Sequence, residues 1–145
     1  MTRSASPDDP PRVFVYGTLM PGERNAHVAG AGVHAARATL AGFALFHLEP
    51  EGYPVLRPDP DAAPVQGWVY TYAPAAWTAA LPGLDALEGV HDQPPLYARV
   101  RAVAQAAGSA LEAWVYVFVR HERLRQGGAV RVPGGDWAAR RHGSP

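Results

Sequence analysis

Arg12-Val13-Phe14-Val15-Tyr16, closed by Gly17-Thr18-Leu19, is the stretch that decides how this chain folds. Four consecutive β-prone apolar residues read as a short buried strand, and Gly17 ends it in a loop. Val65 to Tyr72 reads as a second strand, with Val65, Gly67, Val69 and Thr71 on one face and Gln66, Trp68, Tyr70 and Tyr72 on the other. After Pro74 the period changes. Trp77, Leu81, Leu84 and Leu87 form an apolar helical stripe that Gly89 stops, and Pro82-Gly83 predicts a break within it. Tyr97 to Ala107 and Leu111 to Arg120 flank Gly108-Ser109 as a hairpin. The second hairpin strand is apolar on both faces (Leu111, Ala113, Val115, Val117, Val119 against Trp114, Tyr116, Phe118), which predicts a central position.

The remaining segments say less. Ala38 to Leu48 holds a strand, Tyr53 to Leu56 is a brief extended piece in a proline-rich stretch, and Met20 to Gly32 is a loop or one short helix. Several strands with one principal helix predict an α+β domain, a small barrel or curled sheet. A single domain over residues 12–141 is expected, behind a polar, proline-bearing and disordered lead-in over 1–11.

Composition narrows the function classes. The 145 residues carry 13 basic and 13 acidic side chains, and every basic one is arginine. A net charge of zero argues against nucleic acid or an acidic membrane as partner, since both require a basic surplus. Arg120, Arg123 and Arg125, and likewise Arg140-Arg141, are expected on a solvated face or in a late loop. With no cysteine there is no disulfide, thiolate metal site or cysteine nucleophile. No secretory h-region and no stretch of about 20 apolar residues is present. These features predict a cytoplasmic monomer.

Most standard catalytic constellations fail. Gly17 and Gly22 have P-loop spacing, but Glu23 stands where that motif needs lysine. Gly30-Ala31-Gly32 lacks the third glycine of a dinucleotide loop, and His121-Glu122 lacks a second histidine at position 125. His27, His34, His47, His91 and His142 show no ligand spacing and are expected at the surface or in loops. No serine sits in a nucleophile elbow, which leaves Thr18 as the one side-chain nucleophile to consider. General acid–base work by a carboxylate remains. Glu88, at a helix end beside Leu84 and Leu87, reads either as a solvated end residue or as a desolvated base with a pKa raised toward about 6–7. Asp85, three residues earlier, reads as a charge on the helix face.

Val15-Tyr16-Gly17-Thr18-Leu19 with Gly22, Tyr53-Pro54, Gly67-Trp68-Val69-Tyr70, Leu84-Asp85-Ala86-Leu87-Glu88-Gly89, Tyr97-Ala98-Arg99 and Val115-Tyr116 together resemble the γ-glutamylcyclotransferase-like family, in particular its AIG2-like and γ-glutamylamine cyclotransferase members. The resemblance implies a small mixed β-barrel with one principal helix and a cavity beside the first strand. It also implies that Tyr16, Gly17, Thr18 and Leu19 hold a γ-glutamyl small molecule, that Glu88 is the catalytic acid/base, and that Tyr53 and Tyr97 line the pocket. Arg99 is placed either near the substrate carboxylate or in a pair with Asp85 or Asp92. The implied reaction releases 5-oxoproline and an amine or amino acid, without metal, nucleotide or other cofactor. Two alternatives stand beside it: a pathway-specific enzyme that unmasks an amine by the same cyclisation, and a non-catalytic module that binds an amino-acid-like ligand.

Overall fold

A computed structural model of the chain describes residues 10–30 and 33–139. Most of the lead-in expected over 1–11, and Arg140 and Arg141, lie outside the described residues. Pro10 is buried, and the Pro11 carbonyl accepts the Tyr72 N–H.

Among the described residues, eight strands and one principal helix form the domain. Strands β1 (Arg12–Val15), β2 (His34–Leu40), β5 (Val65–Thr71), β6 (Tyr97–Ala106) and β7 (Ser109–Phe118) close a barrel in the order β1-β5-β2-β6-β7. Only the β1–β7 seam is parallel, with Val13 opposite Trp114, so the barrel is mixed as expected. Strands β3 (Phe43–Leu48), β4 (Tyr53–Pro58) and β8 (Ala129–Arg131) make a second sheet with β3 in the middle. Val13, Phe14, Leu40, Leu45, Leu56, Val65, Trp77, Leu84, Val115 and Phe118 fill the core between these layers, each almost wholly buried. The double-sided apolar pattern of β7 matches its burial, since Val115, Tyr116, Val117 and Phe118 are buried in succession and both faces are therefore covered there, while its edges pair with β1 and β6.

Four expectations are corrected. The segment Ala38 to Leu48 is two strands, turned at Ala41-Gly42, where Gly42 takes a φ of 92° that a residue with a Cβ rarely adopts. Helix α1 runs unbroken from Pro74 to Leu87 in spite of Pro82. Pro82, Gly83 and Thr78 are exposed, so the Thr78 carbonyl that loses its partner at Pro82 meets water. His47 is buried in β3, where its Nδ1 accepts the Trp137 indole N–H at 3.1 Å and its Nε2 meets Glu49 at 2.6 Å. Arg123, in the five-residue helix α2 (His121–Arg125), is bound rather than solvated. It holds Glu51 through Nε and Nη2 at 2.7 Å each and donates to the Glu49 carbonyl at 2.7 Å. Among the described residues no helix is long and apolar enough to cross a membrane.

Candidate active site

A cavity of about 140 Å³ opens where β1 ends, between that bend, the β4 start, the end of α1 and the first residues of β6. Tyr16, Gly17, Thr18, Leu19, Tyr53, Glu88 and Tyr97 all line it, so residues some seventy positions apart share one hollow. Phe14, Val15, Arg24, Asn25, Pro54, Leu87, Leu96 and Tyr116 complete the wall.

The bend after β1 is pinned by its own carbonyls. Gly17 C=O accepts Met20 N–H at 3.0 Å, Thr18 C=O accepts Asn25 N–H at 2.9 Å, and Leu19 C=O accepts the Tyr70 hydroxyl at 2.5 Å. Among the described residues, the N–H groups of Gly17, Thr18 and Leu19 donate no hydrogen bond to the rest of the chain. A buried polar group without a partner is costly, so a row of free donors beside a cavity marks a place for acceptor oxygens, from water or a ligand. Gly17 itself is dictated by Pro54: a Cβ there would overlap Pro54 Cγ outright and stand 2.9 Å from Cδ. Thr18 Oγ1 accepts from the Asn25 side-chain amide at 3.1 Å, a donor that cannot take a proton. That bond brings no base to the hydroxyl, and among the described residues no hydrogen bond joins Thr18 to Glu88.

Glu88 caps the C-terminal end of α1 with φ −85° and ψ 1°, and Gly89 follows at φ 64°, the left-handed turn that ends the helix. That geometry swings residue 88 off the solvent face. Its side chain is largely buried, and among the described residues no hydrogen bond or ion pair reaches its carboxyl. Burial pushes that carboxyl up from 4.5 to about 7. The unpaired carbonyls of a helix C-terminus oppose negative charge in the same sense.

Three tyrosine hydroxyls around the cavity are committed elsewhere. Tyr16 donates to the Tyr116 carbonyl at 2.5 Å, Tyr97 to the Pro54 carbonyl at 2.6 Å, and Tyr116 to Asp85 Oδ1 at 2.7 Å. Burial pushes all three well above the ordinary tyrosine range, and the Glu88 charge raises each further. With their protons fixed on carbonyl and carboxylate oxygens, they are neutral walls. Among the described residues, Glu88 is the one carboxylate in the lining.

Asp85 does not stand on a solvated helix face. It is buried with 5% exposure, and Arg99 binds it through Nε to Oδ1 at 2.9 Å and Nη2 to Oδ2 at 3.4 Å. Of the two placements expected for Arg99, the pair with Asp85 is the observed one. Arg99 also lies 4.5 Å over the Trp114 ring. This network ties α1 to β6 and β7 one turn before Glu88. Sequence reading assigned Tyr116 to the core and attached no role to Arg24 or Asn25. Their place in the wall follows from the loop path, which no local pattern encodes.

The family model described as gamma-glutamyl cyclotransferase, AIG2-like, matches residues 13–139. Among solved structures, the fold is similar to an AIG2-like protein from Mus musculus at 25% identity, covering 77% of this chain and 78% of that one with a TM-score of 0.60. It is also similar to an uncharacterised protein from Pyrococcus horikoshii (15% identity, 90% and 92% covered, TM-score 0.65) and to one from Homo sapiens (18%, 95% and 83%, 0.63). No curated protein sequence matches. The barrel, the helix-end glutamate and the match across nearly the whole described fold make one statement: the chain belongs to the gamma-glutamyl cyclotransferase, AIG2-like family.

Proposed function

We propose that this protein releases 5-oxoproline from a γ-glutamyl compound, with Glu88 as general acid/base. The observation that carries the reading is a lone, desolvated carboxylate lining the same cavity as three uncommitted backbone N–H groups. Size supports it: at about 10–15 Å³ per water-sized site, the cavity holds roughly ten small groups, close to one glutamyl unit.

The γ-glutamyl α-amine is both nucleophile and part of the substrate. Glu88 takes a proton from it, and a carboxyl raised to about 7 is a far better base for an ammonium than one at 4.5. The freed nitrogen attacks the γ-carbonyl carbon and closes a five-membered ring. Negative charge then grows on the carbonyl oxygen, where N–H groups from Gly17 to Leu19 stabilise it by about 3–4 kcal/mol per well-aimed donor. As the bond to the departing nitrogen breaks, Glu88 returns its proton to that nitrogen, the ring nitrogen gives its second proton to the amine so released, and the neutral lactam and an ammonium leave. The walls Tyr16, Tyr53 and Tyr97 hold the chain folded back on itself, which turns a flexible search into a short approach.

A panel of γ-glutamyl dipeptides and γ-glutamylamines, with 5-oxoproline read by mass spectrometry, tests this. Turnover of at least one member, abolished in Glu88→Gln with ligand binding kept, is expected. Binding of 5-oxoproline with no turnover across the panel would instead make the protein a binding module. Undiminished turnover in Glu88→Gln would remove the residue from the mechanism.

A further inference from the structure

We infer that Arg24 recognises a carboxylate on the leaving half of the substrate, so that the site favours γ-glutamyl amino acids over γ-glutamylamines that lack an acid. The inference rests on the γ-glutamyl reading above and narrows it. Of the residues lining the cavity, only Arg24 and Leu87 are exposed, while Phe14, Val15, Tyr16, Pro54, Tyr97 and Tyr116 are buried. Arg24 and Leu87 therefore form the mouth. A glutamyl unit fills the hollow, so whatever is bonded to its γ-carbonyl emerges between those two side chains.

Among the described residues, Arg24 is the one cation in the lining. It is held in place rather than free: Nη2 donates to the Gly52 carbonyl at 3.0 Å, which ties the loop after β1 to the β3–β4 turn across the opening. That bond uses one of five donors, and among the described residues no carboxylate pairs with the rest. The acids on the turn it reaches are already engaged, Glu51 by Arg123 at 2.7 Å and Glu49 by His47 at 2.6 Å. A fixed, unneutralised guanidinium at the exit of the leaving group is matched by an acid on that group, with Leu87 beside it for an apolar side chain.

Calorimetry on the Glu88→Gln protein tests this without turnover, using γ-glutamylalanine against its neutral isostere γ-glutamylalaninamide. Roughly five- to tenfold tighter binding of the acid is expected, shrinking in 0.5 M salt as an exposed charge contact must. Adding Arg24→Gln, which can still donate to the Gly52 carbonyl, should erase the preference, and Arg24→Lys should keep part of it. Equal affinities in Glu88→Gln, or a preference that survives Arg24→Gln, would overturn the inference. So would an equal weakening of both ligands by Arg24→Gln, which would put Arg24 on the glutamyl carboxylate instead. A preference that behaves as expected, in a wild-type protein that forms no 5-oxoproline, would leave Arg24's role standing and sink the cyclisation alone.

Discussion

Replacing Glu88 with glutamine removes a charge that the fold accommodates poorly, and the consequence for stability can be worked out. Burial moves the carboxyl from 4.5 to about 7. At about 1.4 kcal/mol per pH unit, that shift disfavours the ionised form by about 3 kcal/mol, an upper figure because the side chain keeps some contact with solvent. The unfolded chain releases this proton near 4.5 and the folded chain holds it until near 7. Between those values the folded state binds more protons, so stability falls as pH rises through the window and is level above it. Wild type and Glu88→Gln should therefore unfold alike near pH 4. At pH 8 the mutant should be the more stable by about 2–3 kcal/mol, or about 5–10 °C in melting temperature for a domain of this size. Thermal melts of both proteins at pH 4.5, 6, 7 and 8 read the difference directly. An offset that does not change with pH, or a mutant less stable at pH 8, would refute the reasoning.

Three further outcomes follow from the same geometry. The wild-type kcat/KM for a γ-glutamyl substrate should climb about tenfold per pH unit below 7 and flatten above it, since the base must be ionised to act. Gly17→Ala should cut kcat about a hundredfold, because the new methyl displaces the bend or Pro54 by about 1 Å, and steady-state kinetics with a circular-dichroism control would show it. Asp85→Ala should cost about 3–5 kcal/mol in a urea titration, since it strands Arg99 and the Tyr116 hydroxyl without their acceptor.

How far the sequence carried the account depends on whether each signal was local. The bend at Gly17 and the helix end at Glu88-Gly89 were legible because a glycine after an apolar run, and a glycine after a helical stripe, state their backbone geometry within a few residues. The strand faces of β5 and β7 were legible for the same reason. The two-strand division at Ala41-Gly42 was missed because apolar residues run up to it on both sides, and only the φ of Gly42 reveals the turn. Helix α1 survives Pro82 because its orphaned carbonyl faces water, a fact about exposure that the proline does not announce. The hairpin turns at Ala107-Gly108, one residue earlier than Gly108-Ser109, with both residues at positive φ. Strand β8 and helix α2 depend on distant partners, β3 for one and Glu51 for the other. Buried Asp85 looked like a surface charge because its neutralising arginine lies on another element, and Arg24 carried no motif at all.

The fate of the γ-carbonyl oxygen tests cyclisation most directly. In water enriched with ¹⁸O, a γ-glutamyl substrate turned over by this protein should give 5-oxoproline carrying no label, because the substrate's own nitrogen attacks. Glutamate with one ¹⁸O in its γ-carboxylate would show that water is the nucleophile and would contradict the account.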